Sequence, residues 1–187
     1  MAALDLSGPT LWYATRSAGV VALVLLTISL AMGVLTAGKF QTRRSPRFLV
    51  VGLHRNASLL AVVFLGIHVA TTIADSYTSI SWRDAVLPFG GPYRPFWLGL
   101  GAVASDLLIL LTVTSLARSW LGYRAWRVIH WLSYGCWPSA VVHGLGTGHD
   151  AQVGWVRELT FGCVAVVAGA IAWRLWPGWS HRGGEFG

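Results

Sequence analysis

The sequence predicts an all-α integral membrane protein, a single transmembrane domain over residues 1–187 built as a five-helix bundle with no soluble domain. Three observations lead there. Of 187 residues, 55% are hydrophobic and only 11% charged, with a mean hydropathy of +0.59, against roughly a quarter charged in an ordinary soluble domain. Apolar runs long enough for a hydrocarbon core of about 30 Å recur five times. Thirteen arginines and a single lysine fall mostly between those runs, as membrane topology requires. The balance excludes a soluble enzyme domain, a disordered tail and a disulfide scaffold. The net charge of +7 is not gathered into one stripe, so nucleic acid is not an expected partner.

The first helix is expected over about 11–37, with no charge between Ser17 and Gly38. The second covers about 48–74, with Arg55 near its start. The third, about 96–117, is interrupted only by Asp106, and the fourth, about 128–146, carries His130 and His143. The fifth covers about 154–176, where Arg174 can reach the interface. Cys136 and Cys163 fall inside apolar runs and read as packed thiols.

Basic residues set the direction. Lys39, Arg43, Arg44, Arg47 and Arg55 lie around the first connection, Arg118, Arg124 and Arg127 in the third, and Arg174 and Arg182 at the end. These ten face Arg16, Arg83, Arg94 and Arg157 on the other side, which places the N-terminus outside and the C-terminus in the cytoplasm of a plasma (inner) membrane. The basic cluster follows the first apolar run, so no cleaved signal peptide is expected. No Gly-x-Gly-x-x-Gly or Walker motif opens a nucleotide site.

Four histidines carry the chemistry. His54 and His68 are fourteen residues apart in the second span, and His130 and His143 thirteen apart in the fourth. At about 1.5 Å per residue each separation is about 20 Å. Both helices run in the same direction, so His54 meets His130 at the cytoplasmic depth and His68 meets His143 at the outer depth. A bis-imidazole pair across two helices suits six-coordinate haem iron and leaves no open position for a substrate. Zinc or copper is disfavoured, because neither depth offers a thiolate or carboxylate. Fourteen residues return to nearly the same helix face, whereas thirteen leave an offset of about 140° on an ideal helix. Pro138, between His130 and His143, is the expected source of the distortion that removes it.

These spacings, in two helices separated by one intervening span, resemble the ferric reductase-like transmembrane domain family. That family includes membrane ferric reductases, the membrane part of NADPH oxidases and the haem-binding subunit of the bacterial methionine sulfoxide reductase system. The resemblance covers about residues 12–176. It implies two non-covalent b-type haems stacked across the bilayer on His54, His130, His68 and His143, completing the fold class as a bundle with two stacked bis-His haem sites. The extra span and the C-terminal FAD/NADPH module of NADPH oxidases and many ferric reductases have no counterpart here. Any flavin therefore belongs to a partner.

Among the arginines, Arg127, one turn before His130, is the first choice for a haem propionate. Arg55 and Arg124 near the inner pair and Arg83, Arg94 and Arg157 near the outer pair are further candidates, each equally readable as a topology determinant. Asp106, in the middle of the third span, reads either as a proton relay or as a neutral carboxyl hydrogen-bonded to a backbone or serine group. Trp137 reads either as a spacer between haems or as core filling. His149, followed by Asp150, reads either as an outer-surface site for an oxidant or a metal chelate close to His143 or as a solvated loop histidine, and His181 reads as solvated. No catalytic residue is identified.

The expected function is electron transfer from a cytoplasmic donor, a separate flavin reductase or a quinol, to an external ferric complex or an exported redox protein. The alternatives are a quinol-linked haem subunit feeding an exported reductase, and a membrane haem sensor or scaffold without turnover.

Overall fold

The computed structural model describes residues 8–38, 46–75, 80–147 and 154–176, and the described chain is helical. Among the described residues, four helices are long and apolar enough to cross a membrane: α1 (Gly8–Ala37), α2 (Arg47–Ala74), α4 (Pro95–Leu116) and α8 (Gly154–Leu175). Between them lie α3 (Trp82–Val86), α5 (Arg118–Leu121), α6 (Tyr123–His130) and α7 (Ser133–Thr147). Helix α1 packs along α2 and also touches α7 and α8, while α4 packs on α7 and meets α2, α3 and α6. The chain is thus an all-α integral membrane protein.

Lipid supplies no hydrophobic drive between helices, so close packing must hold them. The contact faces are accordingly small. Ala18, Thr27, Ser29 and Ala31 of α1, Ala57 and Ala61 of α2, and Gly99, Ala102, Ala104 and Ser105 of α4 are buried. Leu59, Leu60, Val63 and Ile67 of α2 and Ile109, Leu110 and Val113 of α4 face outward, as lipid-facing positions do. Pro95 starts α4 at a first-turn position where its missing N–H costs nothing. Ser81 and Asp84 form a capping box on α3. The N–H and hydroxyl of Ser81 both donate to the Asp84 carboxylate and hold its pKa below the ordinary value.

Two core clusters fill the middle of the bundle. One joins Leu30, Trp137, Val141, Cys163 and Val167, the other Ala61, Leu108, Leu111 and Cys136. Both cysteines are buried free thiols, and the Cys136 thiol donates to the Ala104 carbonyl at 3.3 Å. Trp137 donates its indole N–H to the Thr27 hydroxyl at 2.9 Å. Its place is in the core, against α1 and α8 side chains. Trp137→Phe keeps the ring but loses that bond, and thermal unfolding in detergent should register a loss of about 1 kcal/mol.

The fourth expected span, 128–146, is not one continuous helix. Helix α6 ends at His130 and α7 begins at Ser133. Across this joint the backbone tightens: Trp131 N–H donates to Val128, Leu132 to Ile129, Tyr134 to Trp131 and Gly135 to Leu132, each three residues back. Helix α7 continues through Pro138, so the distortion lies N-terminal to the proline, toward the preceding turn that its ring crowds. Each residue of a 3₁₀ turn adds about 20° over α-helical rotation, and four of them recover roughly 80° of the 140° mismatch between His130 and His143.

Candidate functional site

The tertiary structure brings the four histidines together in the expected pairs. The rings of His54 (α2) and His130 (α6) have centroids 6.0 Å apart at 73°, and those of His68 (α2) and His143 (α7) lie 6.3 Å apart at 85°. Two imidazole nitrogens, each about 2 Å from one metal on opposite sides, put the ring centroids roughly 6 Å apart. Each pair therefore has the span of two ligands to a single ion. Among the described residues no group of three or more His, Cys, Asp or Glu is placed to hold an ion, so a metal here needs its remaining ligands from elsewhere. A porphyrin supplies four in one plane.

Three of the histidines are fixed by one device. His68 Nδ1 donates to the Thr15 carbonyl at 2.8 Å, His54 Nδ1 to the Ser29 carbonyl at 2.8 Å, and His143 Nδ1 to the Trp97 carbonyl at 2.9 Å. A carbonyl can only accept, so the proton is on Nδ1 and the lone pair on Nε2. This bond is the usual companion of a metal-ligating histidine, because it sets the tautomer and raises ligand basicity. Ser29 adds its hydroxyl, 3.2 Å from His54 Nδ1 and 2.6 Å from the Ser58 hydroxyl.

In each case the accepting residue is followed four positions later by glycine: Thr15 by Gly19, Ser29 by Gly33, Trp97 by Gly101. A helical side chain covers the turn N-terminal to its own Cα, so a missing side chain at i+4 uncovers the carbonyl at i. A Cβ at Gly101 would lie 2.5 Å from the His143 ring, one at Gly19 3.0 Å from His68 Nδ1, and one at Gly33 3.4 Å from the His54 ring. Gly19 and Gly33 are fourteen apart on α1, as His68 and His54 are on the antiparallel α2. Sequence reasoning missed these glycines, although the matched spacing was its signal.

His130 is different. Among the described residues no hydrogen-bond partner meets its buried Nδ1, and its ring stacks on Trp126 with centroids 4.9 Å apart at 29°.

A cavity of about 810 Å³ surrounds the His68–His143 pair, within the size range of cofactor sites. Arg16, Tyr93 and Arg94 line it. Arg94 donates to the Gly146 carbonyl at 3.1 Å, tying the start of α4 to the end of α7, and the Arg16 guanidinium lies 3.8 Å over Trp12. Of the proposed outer arginines, Arg94 lines the cavity, whereas Arg83 lies beside Trp82 and Arg157 is exposed on α8. Arg16 is the residue sequence reasoning did not select. Near the other pair, Arg55, Arg124 and Arg127 are exposed, Arg127 one turn before His130. Asp106 is half-buried on α4. His149, Asp150 and His181, with Lys39, Arg43, Arg44 and Arg182, lie outside the described residues.

The donor set fits a haem at each pair: two imidazoles at the right span, three locked as Nε2 donors, and glycines where a side chain would crowd the ring. The family model described as ferric reductase-like transmembrane component matches residues 18–141. That stretch carries His54, His68 and His130 and ends two residues before His143. No curated protein and no solved structure matches the chain.

Proposed function

The chain belongs to the ferric reductase-like transmembrane component family, and on that premise we propose that it conducts electrons across the plasma (inner) membrane through two b-type haems. When bound, each haem supplies a one-electron ferric/ferrous couple. The protein's part is to hold, space and insulate these groups. His54 and His130 hold the inner one, His68 and His143 the outer one. The carbonyls of Ser29, Thr15 and Trp97 orient three of the four ligands, and fourteen residues of α2 separate the two levels by about 21 Å. Trp137, Cys136, Leu108 and Val141 fill the layer between and keep water out of it. Arg127 at the inner level, and Arg16 and Arg94 at the outer level, are the cations for propionate carboxylates.

The donor is a separate flavin reductase or a quinol at the cytoplasmic face, and the acceptor an external ferric complex or an exported redox protein. The observation that carries this reading is the pair of histidine couples at 6.0 and 6.3 Å, three of whose members have a fixed tautomer. Purified protein should contain two non-covalent haems per chain, both low-spin by absorbance and electron paramagnetic resonance. A reproducible count of one removes one pair from the scheme. Direction rests on topology. A reporter fused to the C-terminus should be active in the cytoplasm, and one inserted near Tyr77 should be active outside; opposite signs reverse the proposed flow.

A further inference from the structure

We propose that the corner between α4 and α6 binds one anionic phospholipid of the cytoplasmic leaflet, its phosphate on the Arg118 guanidinium and an acyl chain in the groove beside Trp120. The site needs no haem. It takes from the reading above only the leaflet, and lipid held by the purified chain is counted without reference to haem or to sidedness.

The chain turns sharply where α4 ends. Helix α5 is a single turn, Arg118–Leu121, and Gly122, at a φ of 76°, admits the bend into α6. The Trp126 indole N–H donates to the Ser115 hydroxyl at 3.2 Å and so ties α6 back to the last turn of α4. This corner leaves an open groove of about 390 Å³, lined by Val113, Leu116, Ala117 and Trp120. Every lining side chain is apolar or aromatic, and Trp120 is 93% exposed, as an indole at the headgroup level of a bilayer is. Arg118 follows the groove directly. Its guanidinium lies 5.1 Å from the Trp126 ring, a contact that positions the planar fork without consuming an N–H donor, and that fork matches the oxygens of a phosphate.

Charge selects the occupant. No acidic residue occurs from Leu107 to His149, a stretch that holds Arg118, Arg124 and Arg127. Among the described residues the acids are Asp75, Asp84 and Glu158 toward the other end of the bundle and Asp106 in the middle of α4. The described part of this end therefore offers its arginines no carboxylate. A juxtamembrane cluster of this kind attracts anionic lipid by about 1 kcal/mol per basic residue.

The occupant must be apolar against Val113 and Leu116, which belong to a membrane-crossing helix, and anionic against Arg118. A phospholipid with net negative charge joins both in one molecule. Inorganic phosphate has no part for the groove, and a zwitterionic lipid brings a cation of its own toward the arginines.

The test mixes the full chain, purified in neutral detergent, with equal amounts of phosphatidylglycerol and phosphatidylcholine, and native mass spectrometry counts the lipid retained. One phosphatidylglycerol per chain should be held in about fivefold or greater preference. Arg118→Gln should lose that preference and Arg118→Lys should keep part of it. Leu116→Gln, which changes the groove and no charge, should weaken retention of both lipids. Arg174→Gln removes one charge from the same end, where Arg174 donates to the Tyr134 hydroxyl, and should leave the preference intact. Equal retention of the two lipids by the unaltered chain overturns the assignment. So does an equal loss in Arg118→Gln and Arg174→Gln, the result expected of a diffuse positive field. Displacement of the lipid by excess inorganic phosphate would make this a plain anion site, and displacement by a polyglutamate peptide a protein-docking face; either overturns the lipid assignment.

Discussion

Replacing His68 by alanine should remove the outer haem, leave the inner one reducible from the cytoplasmic side, and cut transfer to an external acceptor by about a hundredfold or more. His68 and His143 are the two imidazoles at that level, 6.3 Å between centroids, and the inner pair lies about 21 Å away along α2. His143→Ala should behave the same way. His54→Ala should give the mirror image: an outer haem that an external reductant still reaches, and a donor with no first carrier. Vesicles containing each variant, with reductant on one side and an impermeant acceptor on the other, separate these outcomes. Bound haem must be counted first, because an empty pocket leaves polar groups in lipid and lowers stability. A His68→Ala chain that keeps two haems and full transfer defeats the paired-ligand scheme.

Gly101→Ala should also cost the outer haem, although alanine normally stabilises a helix over glycine by roughly 1 kcal/mol. The sign reverses because the new Cβ would lie 2.5 Å from the His143 ring, whose Nδ1–H is held on the Trp97 carbonyl of the same helix. Relieving that overlap moves His143 or parts α4 from α7, at about 1–3 kcal/mol. The effect should be graded across the three glycines. Gly19→Ala, at 3.0 Å from His68 Nδ1, should shift the spectrum with partial haem loss, while Gly33→Ala, at 3.4 Å from the His54 ring, should be close to silent. Gly66 and Gly169 have nothing within 4 Å of a Cβ, and alanine there should keep haem and raise the melting temperature. Equal behaviour of all five variants would mean that the glycines do not serve the histidines.

The sequence alone determined the membrane class, four of the five long apolar helices it predicted and which histidine pairs with which. Each of these follows from one-dimensional quantities: run length against bilayer thickness, and residue separation against rise per residue. The pairing His54–His130 and His68–His143 needed only two near-equal intervals in helices of the same direction. Only the tertiary structure decided how the ligands are held and where the fourth stretch breaks. Rotation about a helix axis is sensitive to a few hydrogen bonds that composition does not encode, so the joint at Trp131–Leu132 was misplaced to Pro138. A backbone carbonyl has no letter in the sequence. Its availability depends on the residue four positions later and on a neighbouring helix coming close enough to use it, as α1 does for His54 and His68 and α4 for His143. The stack of Trp126 on His130 is likewise a property of packing.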